Sequence, residues 1–163
     1  MALAGIGVTM LLALAGCGDD STDSAEPATD ACEVVDGTAG GGTPGITVGL
    51  TEWSVSPAPA QATKGAVTVE ARNNGKETHE LVIARGPADQ LKVVDGAVDE
   101  GQLPPGAFIG EIEGFAPGTA CTATFQLAEP GTYSFFCNIV ETEPDGTKES
   151  HFQQGMVTSV TVS

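Results

Sequence analysis

Once an apolar leader is set aside, few side chains of this sequence can bind a metal through nitrogen or sulfur: His79, His151, Met156, Cys137, and the sulfurs of Cys32 and Cys121. The first four, two imidazoles with a thiolate and a thioether, form a donor set with a definite chemistry. Thiolate and thioether are soft and suit Cu(I), imidazole suits Cu(II), and a rigid site combining them can hold either state and exchange one electron with little rearrangement. Zinc accepts the same nitrogens and thiolate, but methionine is a poor ligand for it. Taken singly, each residue is ordinary, since a buried cysteine is usually inert packing. The chemistry needs all four at one point.

The elements that must bring them there read as strands. From residue 46 onward the apolar residues recur with period two in ITVGLTEW, AVTVEARN, HELVIA, FIGEIE, CTATFQL, TYSFFC and MVTSVTV, separated by turn signals such as NNGK, APGT, AEPGT and EPDG. No helical stripe of useful length appears, except weakly at ADQLKVV. The spacing therefore predicts an all-β domain, an antiparallel sandwich or Greek-key barrel. Residues 86–107 form a long polar excursion, read as a loop with one helical turn. Parity places His79 on the face of Leu81 and Ile83, Cys137 on that of Tyr133 and Phe135, and Met156 on that of Val160 and Val162. These three donors lie at strand ends and face inward, and His151 falls in the loop just before the last strand. Trp53, Phe108, Phe115, Phe125 and Phe135 are expected in the core, with Phe152 at the rim of the site.

The chain of 163 residues has room for one domain and a tail. Its opening, MALAGIGVTMLLALAG, is apolar and uncharged yet too short to span a bilayer, and reads as a secretory signal. Leu14, Ala15, Gly16 and Cys17 resemble the bacterial lipobox, which implies cleavage before Cys17 and a lipid on its sulfur. No Lys or Arg precedes the run, a departure that a misplaced start accounts for; an ordinary signal with an incidental Cys17 is the bland alternative. Residues 17–45 are acidic, small and Gly-rich, too poor in apolar bulk to order themselves, and read as a tether. The expected organisation is a signal at 1–16, a tether at 17–45 and a domain at 46–163, on the extracytoplasmic face of a bacterial membrane. The net charge of −16 repels nucleic acid and anionic headgroups and favours a basic partner, although surface acid also simply maintains solubility.

Three segments, NNGKETHELVI at 73–83, GTYSFFC at 131–137 and HFQQGMVTSVTV at 151–162, resemble the cupredoxins, the family of plastocyanin, amicyanin and pseudoazurin. The resemblance spans roughly residues 46–163. It implies a Greek-key β-sandwich holding one type 1 copper ion, with His79, Cys137 and His151 as equatorial ligands and Met156 as the axial one. Asn74 and Glu80 match positions that help tie the ligand loops together. One departure is the long NIVETEPDGTKES stretch between Cys137 and His151, where cupredoxins have only a few residues. Pro144, Asp145 and Gly146 are a strong turn signal, so this insertion is expected to form a hairpin that returns its ends to each other and projects from the barrel.

With Cys137 so assigned, Cys32 and Cys121 remain, and outside the cytoplasm they are expected to pair as a disulfide. Pairing of either with Cys137 instead would abolish copper binding. Glu141, Glu143, Asp145 and Glu149 crowd the insertion, either to steer a basic redox partner or to keep a protruding hairpin wet. The expected function is a monomeric, membrane-tethered one-electron carrier. Copper delivery or sensing with the same ligands, and a metal-free scaffold of the same fold, are the alternatives. Multicopper oxidases and copper nitrite reductases need further histidines, and no nucleophile elbow is present, so substrate turnover is not expected.

Overall fold

The computed structural model describes residues 32–163. Cys17 and the lipobox lie outside the described residues. The principal strands are β1 (Ile46–Thr51), β2 (Ser54–Ala58), β3 (Gly65–Asn73), β4 (His79–Arg85), β5 (Phe108–Phe115), β6 (Ala120–Leu127), β7 (Gly131–Phe136) and β8 (Val157–Val162). They form two sheets. In one, β5, β4, β7 and β8 are neighbours in that order, flanked by Val34–Val35 at one edge and Gln61–Ala62 at the other; in the second the order is Thr38–Ala39, β6, β3, β1, β2. Pairing is antiparallel except between β1 and β3 and between β8 and Gln61–Ala62. The architecture is thus the all-β sandwich that the period-two pattern predicts.

Alternation explains the packing. On β3, Val67, Val69 and Ala71 are buried while Thr68 and Glu70 lie between them on the outer face. Leu81, Ile83, Ile112, Phe115, Phe125, Leu127 and Phe135 complete the layer between the sheets, each contributing roughly 1.5–3 kcal/mol by removal from water. Trp53 and Phe108, expected in the core, are only partly buried at its margins. Among the described residues no helix is long and apolar enough to cross a membrane.

Two sequence expectations are corrected. The boundary at residue 46 is too late, because Val34–Val35 pairs with β5, Thr38–Ala39 pairs with β6, and Cys32 is bonded to Cys121 of β6 with an S–S distance of 2.03 Å. Two-residue strands carry no periodicity, and pairing with a finished sheet edge together with a covalent staple orders a segment whose composition alone would not. The 86–107 excursion is also more than a loop. Only Ala88–Gln90 of ADQLKVV winds, as a 3₁₀ turn, and Val93–Val94 pairs with Ala97–Val98 across Asp95 and Gly96. Both turn residues have positive φ, 52° and 100°, as a tight hairpin of this twist requires. The excursion lies over the outer face of the larger sheet, where Leu91, Val93, Val98 and Leu103 pack with Val82, Ala84 and Phe136 in a second apolar cluster.

Candidate metal centre

One pole of the sandwich collects the donors. His79 is the first residue of β4, Cys137 follows the last residue of β7, and His151 opens a single helical turn, α1 (His151–Gln154), rather than sitting in an irregular loop. Ser150 caps that turn by accepting from the N–H of Gln153 at 3.1 Å, and Gly155 closes it in the left-handed region at φ 117°. Met156 then leads into β8. Its N–H donates to the carbonyl of His151 and its carbonyl accepts from the N–H of Cys137, both at 3.0 Å, so the backbone of Met156 ties two donor residues together. All four side chains are fully buried.

The insertion between Cys137 and His151 is a hairpin. Val140–Thr142 pairs with Lys148–Ser150, and Pro144, Asp145 and Gly146 make the turn, with the N–H of Gly146 donating to Glu143 O at 2.8 Å. Its base stands against the Asp95–Gly96 turn: Ser150 Oγ donates to the carbonyl of Gly96, and a Cβ on Gly96 would lie 3.3 Å from both Ser150 Cβ and Val140 Cγ2. The two hairpins brace each other beside the site. Thirteen intervening residues therefore leave Cys137 Sγ 3.3 Å from His151 Nδ1.

The fit to one ion can be judged from spacing. His79 Nδ1 and His151 Nδ1 are 3.3 Å apart, and one donor atom from each of His79, Cys137 and His151 falls within 4.8 Å of the others. Nitrogen and sulfur donors about 2.0–2.3 Å from a common ion at near-tetrahedral angles stand roughly 3.3–3.6 Å from each other. His79, Cys137 and His151 could therefore hold a metal ion, and the same atoms lie within hydrogen-bonding reach of one another, Nδ1 to Nδ1 and Nδ1 to Sγ. Among the described residues Cys137 is the one cysteine outside a disulfide, since Cys32 and Cys121 are joined to each other.

Electrostatics favour neutral imidazoles. Burial lowers the pKa of His151 to about 4, with neighbouring His79 pushing the same way, and burial lowers that of His79 against the opposing pull of Glu52. Burial pushes the Cys137 thiol far up, with Glu80 adding to it, so a free thiolate is strongly disfavoured and a bound cation would be the agent that removes its proton.

The surrounding shell differs in part from expectation. Glu80 does tie ligand segments together: its Oε1 accepts from the N–H of Asn138 at 2.7 Å, and burial raises its pKa to about 7. Asn138 in turn exchanges hydrogen bonds with the backbone of Val98 and donates to Glu100 Oε1 at 2.8 Å, joining the excursion to the cysteine loop. Asn74, by contrast, is exposed, and its backbone N–H bonds Leu50 O. The tying role falls to Asn73, which donates to Glu77 O at 2.8 Å and Phe115 O at 2.9 Å and accepts from the N–H of Gly75. Being the last residue of β3, Asn73 keeps the inward parity of that strand, whereas Asn74 has already left it.

Three further neighbours were not legible in the sequence. Glu52, in the β1–β2 turn, accepts from the N–H of Lys76 at 2.6 Å and of Glu77 at 3.0 Å, and its Oε1 lies 3.2 Å from His79 Nε2. Those contacts, the Lys76 N–H above all, hold its pKa near 2. Trp53 stands edge-on to His151, ring centroids 5.2 Å apart. Glu77 Oε2 lies 3.7 Å from His151 Nε2, and both atoms are buried without a hydrogen-bond partner. Burial raises the Glu77 pKa, followed by repulsion from Glu141 and Glu149 of the hairpin.

Neither a protein-family model nor a curated protein matches this chain. Solved structures do. The chain is similar to dithionite-reduced auracyanin from the photosynthetic bacterium Roseiflexus castenholzii, at 26% identity and TM-score 0.48, over 72% of this chain and 94% of that one. It is similar to auracyanin B at 22% identity and TM-score 0.47, over 77% and 94%. It is also similar to a purple cupredoxin from Nitrosopumilus maritimus at 18% identity and TM-score 0.39, over 72% and 98%.

Proposed function

We propose that this protein is a one-electron carrier of the cupredoxin type, with a single type 1 copper ion held by His79, Cys137 and His151 and by Met156 as a weak axial donor. The observation that carries the reading is the convergence of two imidazole Nδ1 atoms and one thiol sulfur at a fully buried point. When bound, copper supplies a reversible one-electron couple. The residues supply the frame: β4, the end of β7 and α1 fix three donors from different elements, and the braced hairpins keep water from them. A rigid, dry frame suits both oxidation states without rearrangement, which is what rapid electron exchange requires. It also favours transfer over delivery, because a site that hands its metal on needs a donor within reach of the recipient, and all four here are covered.

The carrier works as a monomer tethered by a lipid on Cys17 at the extracytoplasmic face of the membrane, exchanging electrons with redox proteins, basic ones favoured by the net charge. The monomeric state is supported by the surface: among the described residues Val94 is the one large apolar side chain that is exposed. Addition of Cu(II) to the protein is expected to give an intense visible thiolate-to-copper absorption that Cys137→Ser abolishes. A colourless protein that binds no copper would end the proposal.

A further inference from the structure

We infer that Glu52 and Glu77 are positioning residues for the metal centre, one carboxylate for each ligand imidazole. By accepting from the Nε2–H groups of His79 and His151, they would turn both Nδ1 lone pairs to the metal and favour its more highly charged state. The inference rests on the copper reading above and adds to it. An imidazole that binds through Nδ1 carries its proton on Nε2, and in a buried site that proton needs an acceptor. For His79 the acceptor is in place: Glu52 Oε1 at 3.2 Å, itself immobilised by the backbone N–H groups of Lys76 and Glu77. For His151 one candidate stands nearby. Its Nε2 and Glu77 Oε2 are each buried, each without a hydrogen-bond partner, and 3.7 Å apart. The two carboxylates come from different elements, the β1–β2 turn and the β3–β4 loop, but they are linked, because Glu52 bonds the backbone of Glu77. Gly75 permits this crowding, since a Cβ there would meet both Glu52 Oε1 and His79 Nε2.

The consequence is electrostatic. A thiolate and two neutral imidazoles leave a net positive centre with Cu(II) and a neutral one with Cu(I). Two nearby carboxylates, each partly exposed but with Glu77 Oε2 itself buried beside His151, stabilise the first more than the second. The test uses the full-length protein and the variants Glu52→Gln and Glu77→Gln, which keep a carbonyl acceptor but remove the charge. Each is titrated with Cu(II) and with Cu(I), and its reduction potential is measured. Each variant is expected to lower the Cu(II)-to-Cu(I) affinity ratio about tenfold, a rise of about 59 mV in potential, while the visible absorption is retained. If the wild-type protein shows the absorption but both variants keep its potential, the inference is overturned and the copper reading stands. If the wild-type protein never shows the absorption, both fall together. Should a variant fail to fold, nitrogen-resolved NMR of the imidazoles in the wild-type Cu(I) protein decides. Two slowly exchanging Nε2–H protons support the inference, and a His151 Nε2–H that exchanges at the solvent rate overturns it.

Discussion

Asn73 and Asn74 are adjacent in sequence and opposite in role. Asn73→Ala would strip donors from the carbonyls of Glu77 and Phe115 and an acceptor from Gly75 in a buried setting, with an expected cost of about 2–3 kcal/mol. Asn74→Ala, on the surface, should stay within about 0.5 kcal/mol. Denaturant midpoints at constant m value would tell them apart. Gly75→Ala makes the sharper local test: its new methyl would lie 2.7 Å from His79 Nε2, so either the ring or Glu52 must shift. Copper affinity is expected to fall about tenfold or more in direct titration. The cluster of His79, Cys137 and His151 was legible because soft ligands are scarce in the sequence and strand parity aims the first two inward. Glu52 was not. Nothing in a linear sequence distinguishes an acid that reaches across from another turn from the many that face solvent.

At the scale of elements, the sequence announced strands longer than about five residues and missed those of two, because a period cannot be read from a single pair. That is why residues 32–45 read as a tether and the 86–107 excursion as a loop with one helical turn. The helical turn that carries His151 offers a direct measurement. Ser150→Ala removes both the N-cap and the bond to Gly96 O, and about 1–2 kcal/mol of stability should go with them. Because the same change loosens the brace between the two hairpins, the visible band should also broaden or shift. Both readouts come from one thermal melt and one spectrum.

For the whole molecule, the Cys32–Cys121 bond closes a loop of separation 89 and fixes the first described residues to the sandwich. Reducing it, or replacing both cysteines by serine, is expected to cost about 2–4 kcal/mol, seen as a lower urea midpoint. The metal-free protein should also respond to pH. Glu111 has its pKa raised to about 8 by burial and by Glu100, Glu113 and Glu80. A carboxyl whose folded pKa lies above its unfolded value of 4.5 contributes stability that is complete below about pH 4.5 and is lost as pH rises through about 8. Melting temperature should therefore fall across that window, and Glu111→Gln should flatten the slope. The hairpin at 140–150 has one more implication. Since its ends are paired with each other at Val140 and Ser150, residues can be added to or removed from its tip without drawing Cys137 away from His151, so this stretch of surface can vary in length while the buried cluster keeps its spacing.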